Sequence, residues 1–491
     1  MTTLDIEKSS ARAEMQISAT RRSRRRRIIL VAAIIGFFLL YQTLYSGLHH
    51  RQSWHEAAAA SNRYRGGGGG GVMLNSNNKE KFEDWPGHKF DEIPHADCPP
   101  LPGMENMVVV MRTGVTEAQE KVPIHFNTTL RCVPNYLIFS DFEEDINDVH
   151  IYDALRDVDA DVKEQVEEFQ LYNRLRAQGR KGLKANDYRD ETNTVFGKPN
   201  NPGWKLDKWK FLPMAHQTLR HNESAHWYFF MEADTYPFWS NLLAWTAHFD
   251  PQQPHYIGTE TQIGDVIFAH GGAGFLVSNP ALRRAVDTYL TDPVGVNTLT
   301  DYHWAGDCVL GKVFADQGVS LRYSWPLLQN SQLGELDEFT QVYYRRPWCF
   351  PIIALHHLSR SDIHNLWVYE QQKLASTNNS TPLHSDIFRD IIYPSLSPEP
   401  RDNWDNLSPE LRASSVRSVQ DCHGLCRQHP ECVQYSFHKR NKKCFTSKTP
   451  KMGVKGIKGK RGDSVTSGWI IDRVEEMVRQ AGSCRKVEYG L

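Results

Sequence analysis

Residues 28–48 read IILVAAIIGFFLLYQTLYSGL, 21 positions without a charge, directly behind Arg21, Arg22, Arg24, Arg25, Arg26 and Arg27. As a helix, about 20 apolar residues match the ~30 Å hydrocarbon core of a bilayer. No small-residue cleavage site follows Leu40, which argues against a cleaved signal peptide. No face is polar, which argues against a buried core helix. The expectation is one transmembrane helix over 28–48. The arginine cluster then keeps residues 1–27 on the cytosolic side, by the excess of basic residues on cytosolic flanks, and delivers everything after residue 48 to the lumen.

Cysteine usage agrees with this division. All nine cysteines lie at or after Cys98, in the part assigned to a compartment where disulfides persist. The N-x-S/T sequons at Asn127, Asn222, Asn378, Asn379 and Asn406 fall there too, each weak alone. A net charge of −1 argues against a nucleic-acid partner. Thirteen tryptophans can fill a large core and also suit stacking on sugar rings.

Residues 49–95 hold AAAA, six glycines from Gly66 to Gly71 and NSNN, with no apolar periodicity. Gly-rich sequence costs too much entropy to order, so a flexible stem is expected. Residues 96–400 then alternate strand-like and helix-like segments. Met107–Met111, Tyr136–Phe139, Trp227–Met231 and Gly274–Ser278 are short apolar runs of the buried-strand kind. Residues 153–177 and 204–221 have helical spacing, and Asn279-Pro280 reads as the cap and first turn of a helix through Leu290. This alternation predicts an α/β domain with a largely parallel sheet. Proline and serine thicken around 394–410, which reads as a linker to a separate small domain over 401–491.

Four segments can carry chemistry. In FFMEADTYPFW (229–239) a buried strand ends in Glu232 and Asp234. Ligands gather at strand C-termini in parallel sheets, and carboxylates two residues apart point the same way. Hard carboxylate oxygens suit Mn²⁺ or Mg²⁺ on a diphosphate, although an ordinary acidic turn has the same sequence. CFPIIALHHLS (349–359) runs an apolar strand into His356 and His357, and imidazole beside carboxylate is a reasonable ligand pair for Mn²⁺. Gly271 and Gly272 in HGGAGFLVS permit close backbone approach to a ligand, or simply a tight turn. Asp307 in HWAGDCVLGKVF is either a general base or a helix cap.

In their order and spacing these segments, with VVVMRTGVTE (108–117), YLIFSD (136–141) and WKLDKWKFLPM (204–214), resemble glycosyltransferase family 31, the fringe and core-1 β1,3-galactosyltransferase group, and its fungal branch most. The resemblance spans about Val108 to Trp367. It implies a GT-A nucleotide-sugar-binding fold, a UDP-sugar donor, Mn²⁺ or Mg²⁺, an inverting reaction on a glycan or glycoprotein acceptor, and a type II anchor in the Golgi membrane. Asp234 matches the metal carboxylate and His356 the metal histidine, with His357 a close second. Thr113 and Asp141 match nucleotide contacts, Gly271 and Gly272 the donor pocket, and Asp307 the base. Trp304 can stack on the acceptor sugar or belong to the core. Two positions depart from the family: Glu232 opens the acidic motif in place of aspartate, and Gly306 precedes Asp307 where the family has glutamate. A non-catalytic carbohydrate-binding protein on a decayed fold and a metal-dependent hydrolase are the competing readings.

Cys422, Cys426, Cys432 and Cys444 lie in DCHGLCRQHPECVQYSFHKRNKKCF, which resembles a PAN/Apple module, a small disulfide-stapled α+β domain that binds protein or carbohydrate. The resemblance implies bridges Cys422–Cys444 and Cys426–Cys432. Cys98–Cys132 and Cys308–Cys349 are expected elsewhere, leaving Cys484 over, although sequence does not determine connectivity.

Overall fold

The structure is a computed structural model describing residues 83–88, 98–188, 198, 200–376, 382–456, 462 and 464–490. The expected cytosolic tail, the transmembrane helix over 28–48 and nearly all of the stem lie outside these residues. Among the described residues no helix is long and apolar enough to cross a membrane.

Eight strands build the central sheet: β1 (Met107–Arg112), β2 (Tyr136–Ser140), β3 (Glu144–Ile146), β4 (Val149–Asp153), β5 (Trp227–Glu232), β6 (Tyr256–Gly258), β7 (Phe275–Ser278) and β8 (Leu321–Tyr323), in the order β8-β6-β7-β5-β1-β2-β4-β3. The contiguous run β5-β1-β2-β4 is parallel, as is β6-β8. Strand β7 runs antiparallel to both β5 and β6, and β3 antiparallel to β4. The α/β expectation holds and the sheet is mostly parallel. The apolar runs are continuous because both faces are covered. Val108 and Val110 enter a core with Phe211, Leu282 and Val309, while Met107, Val109 and Met111 enter the opposite one with Phe229, Trp239 and Trp245.

Element boundaries differ from expectation where caps and prolines decide them. The helix Asn279–Thr291 is capped by Ser278, not Asn279, and Pro280 sits in its first turn. The 204–221 segment is three consecutive pieces, Pro202–Asp207, Lys208–Lys210 and Phe211–His221. Pro213 falls in the first turn of the last piece, where a missing N–H breaks no helical bond.

Residues 394–410 are not a linker. Tyr393–Ser395 is helical, Arg401–Asp402 and Trp404–Asp405 are strands, and Arg401 lies over the Trp404 ring at 4.5 Å. Arg401–Asp402 and four short strands further along the chain form a second, antiparallel sheet, with the helix Val419–Gln428 packed against it. Four disulfides form: Cys98–Cys132, Cys422–Cys444, Cys426–Cys432 and Cys349–Cys484. The first three are as expected. The fourth corrects the Cys308–Cys349 expectation, and it is Cys308 that stays unbridged, buried in the helix Gly306–Asp316.

One sequon is structural. Asn406 is fully buried, and its Nδ2 donates to the Tyr435 and Gly468 carbonyls. Asn378 and Asn379 lie outside the described residues. Lys81–Leu491 forms one compact unit. A single apolar cluster joins Trp348, Ile352, Leu355 and Phe388 to Val433, Met452, Trp469 and Val474.

Candidate functional site

Strands β5, β1 and β2 are parallel neighbours, so their C-terminal ends share one edge of the sheet, where open α/β folds bind ligands. Arg112, Asp141 and Glu232 stand at these ends. Register places Arg112 opposite Glu232, and the buried Arg112 guanidinium pairs with both Glu232 and Asp207 while lying 4.1 Å over the Phe211 ring.

After Glu232 the chain turns sharply. The Thr235 hydroxyl accepts from the Glu232 N–H at 3.3 Å and donates to the Gly272 carbonyl at 2.8 Å, fastening the acidic turn to the paired glycines. His125 braces the same turn from behind. Its Nε2 lies 2.9 Å from the Ala233 carbonyl and must donate to it, so Nδ1 accepts from the Thr129 hydroxyl at 2.6 Å. Burial pushes the His125 imidazole down to about 4, which keeps it neutral.

Asp234 is the centre of the arrangement. Its Oδ2 receives Lys121 Nζ at 3.0 Å. Its Oδ1 faces His356 Nε2 at 3.1 Å. Both of these atoms are buried and, apart from each other, neither has a hydrogen-bond partner among the described residues. Glu232 Oε2 lies 3.5 Å from the same ring nitrogen. The other ring nitrogen, Nδ1, is 2.9 Å from Asn330 Oδ1. An amide oxygen can only accept, so Nδ1 carries a hydrogen, and Nε2 is the ring atom turned to the two carboxylates, through which the ring would meet a cation in place of its second proton.

Burial alone would lower the His356 pKa, but the Asp234 and Glu232 carboxylates outweigh it and raise the ring to about 9. Burial would raise both carboxyls, yet the His356 ring and Lys121 hold Asp234, and Arg112 and the His356 ring hold Glu232, below the ordinary carboxylate range. Burial likewise opposes the Lys121 charge, and the Glu117 and Asp234 carboxylates overcome it. With these carboxylates ionised, the donor set suits a divalent cation. One carboxylate oxygen and one imidazole nitrogen face each other 3.1 Å apart, and the ligand atoms of Asp234, His356 and His357 lie within 4.8 Å of one another. His357 is exposed and has a left-handed backbone, φ +59°, whereas His356 is buried and oriented by Asn330.

The paired glycines are explained by close approach. A Cβ on Gly272 would lie 2.0 Å from the His356 ring, so any side chain there would displace the histidine. A Cβ on Gly271 would lie 3.1 Å from an Arg112 nitrogen and 3.5 Å from Asp307 Oδ2. Asp307, in the first turn of Gly306–Asp316, accepts from the Gly271 N–H through Oδ2 and from the Cys308 N–H through Oδ1, at 2.9 Å each. It is therefore tied to the glycine turn as well as to its own helix. Gly306 leaves no room for the larger residue of the family pattern, since a Cβ would lie 2.4 Å from the Phe211 ring.

Asp141 and Thr113 form the other half of the edge. Asp141 Oδ1 accepts from the Val115 N–H at 2.7 Å and the Ser140 hydroxyl at 3.1 Å. Its Oδ2 is buried without a hydrogen-bond partner among the described residues. Fully buried Lys210 lies 3.7 Å from Asp141, 3.2 Å from Asp207 and donates to the Thr113 carbonyl at 2.8 Å. It thereby connects this half to Arg112. Trp304 stacks on Trp204 with centroids 5.9 Å apart.

The structure brings Glu232, Asp234, Gly272 and His356 together at one place, with Gly271 and Asp307 beside them. The sequence reading missed Arg112, Lys121, His125, Lys210, Thr235 and Asn330. Arg112, Lys210 and Thr235 lie inside segments already singled out; Lys121, His125 and Asn330 show themselves only once distant parts of the chain meet. Among known families, the PAN domain matches residues 406–466, which hold both the Cys422–Cys444 and Cys426–Cys432 bridges.

Proposed function

We propose that the chain is a metal-dependent, inverting glycosyltransferase resembling family 31, with a GT-A fold. It transfers a hexose, galactose as first candidate, from a UDP-sugar to a hydroxyl of a glycan or glycoprotein. In this reading residues 28–48 anchor it in the Golgi membrane as a type II protein, and the PAN module contacts protein or carbohydrate. The observation that carries the reading is the buried pair Asp234 Oδ1 and His356 Nε2, each facing the other and no further hydrogen-bond partner among the described residues, set at the strand edge beside Gly271, Gly272 and Asp307.

Asp234 and His356 would hold Mn²⁺ or Mg²⁺, with His357 within reach. A cation bound there supplies charge that stabilises the departing diphosphate. Arg112 and Lys121 add fixed positive charge at the same edge, and Asp141 Oδ2 is available to a donor group of the nucleoside. Asp307 Oδ2 takes the proton from the acceptor hydroxyl as that oxygen bonds to the anomeric carbon. The bond from that carbon to the diphosphate breaks on the opposite face, so configuration inverts and UDP leaves. The transition state has oxocarbenium character, as in hydrolysis of the same kind of bond.

The test is UDP release by the purified protein with Mn²⁺ across a panel of UDP-sugars, with and without simple glycoside acceptors. Acceptor-stimulated, metal-dependent release that is lost in both Asp234→Ala and Asp307→Ala supports a transferase. Release without acceptor supports a hydrolase instead. No turnover, together with no rise in melting temperature from any UDP-sugar, overturns the enzymatic reading and favours a carbohydrate-binding protein.

A further inference from the structure

The chain between Asn330 and His356 both begins and ends at the candidate metal centre, and the C-terminal region grips it along its length. Gly453, inside the PAN match, donates its N–H to the Gly334 carbonyl at 2.8 Å. The two backbones meet so closely that a Cβ on Gly334 would lie 2.1 Å from the Gly453 oxygen. The Thr449 hydroxyl donates to Asp337 Oδ2 at 2.8 Å, and Asp337 Oδ1 in turn accepts from the Phe339 and Thr340 N–H groups. Past the PAN match, Gly482 accepts from Trp348 Nε1 at 3.0 Å, Cys484 is bridged to Cys349, and the Gly490 carbonyl accepts from Arg345 at 2.7 Å. Leu333, Leu336, Trp348, Ile352 and Leu355 share an apolar cluster with Met452 and Trp469.

At the ends of this segment the backbone is fixed to itself. The His356 N–H donates to the Ser331 carbonyl at 3.3 Å, the Gln329 N–H to the Ala354 carbonyl at 2.9 Å, and Asn330 sets the His356 ring. Asn330 is four residues from Gly334, so displacement at Gly334 is transmitted to the group that orients His356 Nε2.

We infer that the C-terminal module is a positioning element for the candidate metal centre: through Gly453–Gly334, Thr449–Asp337 and Cys484–Cys349 it holds the segment that aims His356 at Asp234. The inference rests on the reading of His356 as a metal ligand. The module is thereby part of the site's construction, whatever else its outer surface binds.

Full-length protein is compared with Gly334→Ala, Thr449→Val and Cys484→Ser, with Arg417→Ala on the module's exposed surface as control. Two quantities are read: Mn²⁺ affinity from the electron paramagnetic resonance signal of free Mn²⁺, and amide hydrogen exchange over 329–332 and 354–357. Gly334→Ala and Cys484→Ser are expected to weaken Mn²⁺ binding about tenfold, the scale on which groups behind a metal ligand act, and to speed exchange in both windows. Arg417→Ala should change neither. Asn330→Ala alone should cause a similar loss of affinity, and adding Gly334→Ala should cause little more. Thr449→Val keeps its shape, and serves if Gly334→Ala fails to fold. Unchanged exchange in both windows in the folded variants overturns the inference, as do additive losses with Asn330→Ala. If the unsubstituted protein binds no Mn²⁺ while exchange still responds, the metal reading fails and the positioning of His356 by the module stands.

Discussion

Among the described glycines, Gly272 is the one whose added Cβ would come nearest another residue, because the His356 imidazole lies where that side chain would be. Gly272→Ala is expected to push the ring away from Asp234 and cost Mn²⁺ affinity at least tenfold, and UDP release about 10²-fold or more, roughly what loss of one electrostatic stabiliser costs. A titration and an initial-rate assay on one preparation check this; wild-type affinity in Gly272→Ala would refute the placement of the ring. Asp234 and Glu232 should separate in the same assays. Asp234→Asn should abolish measurable Mn²⁺ binding, whereas Glu232→Gln, which loosens Arg112, should retain it with a reduced rate. The sequence points to both carboxylates, since the end of a buried strand is a legible position. It does not choose between His356 and His357. Adjacent residues on a strand end look alike until Asn330, 26 positions earlier, bonds to one ring.

At the scale of elements, the helix Arg360–Ser376 buries Glu370 against the strand Tyr236–Pro237, where its Oε2 accepts from the Tyr236 hydroxyl. Burial pushes the Glu370 carboxyl up to about 7 from its ordinary 4.5. Between those two values the folded chain keeps a proton that the unfolded chain has released, so stability falls as pH rises through the window. The cost above pH 7 is up to about 3 kcal/mol. Glu370→Gln keeps an acceptor for Tyr236 and escapes this cost. It should melt above the parent protein at pH 8, with the gap closing as pH falls toward 4.5. Equal melting temperatures at both ends would show that the carboxyl is not held protonated. This pairing is not legible in the sequence, because it depends on which turn of the helix meets which strand. The 394–410 segment shows the opposite failure. Its Pro-Ser composition reads as loop, yet Ser395, Leu396 and Asn406 are buried and Arg401 lies over the ring of Trp469, far along the chain.

For the molecule as a whole, the alternation of apolar runs and helical segments is enough to announce an α/β sheet, because burial on both faces leaves no polar alternation. Strand order and the reversal of β7 are not written in any local pattern. Nor is the merging of the C-terminal region with the rest, since composition marks a boundary at just the place where the apolar cluster continues across it. Removal of residues 401–491 would lay bare Trp348, Ile352, Phe388 and Ile391 together. The truncated chain is therefore expected to aggregate or to melt well below the full protein, rather than persist as a free-standing domain. Expression of the truncation with light scattering and a thermal melt decides this, and a soluble, cooperatively melting product would show that the two regions are independent. The Cys349–Cys484 bridge also sets a timetable. Its halves are 135 residues apart, so at ~5–20 residues per second the ribosome needs roughly 7 to 27 seconds after making Cys349 before its partner exists. Asp234, Asn330 and His356 are all synthesised well before the residues that hold them in register. A nascent chain thus carries the residues of this sheet edge early and fixes them in register late.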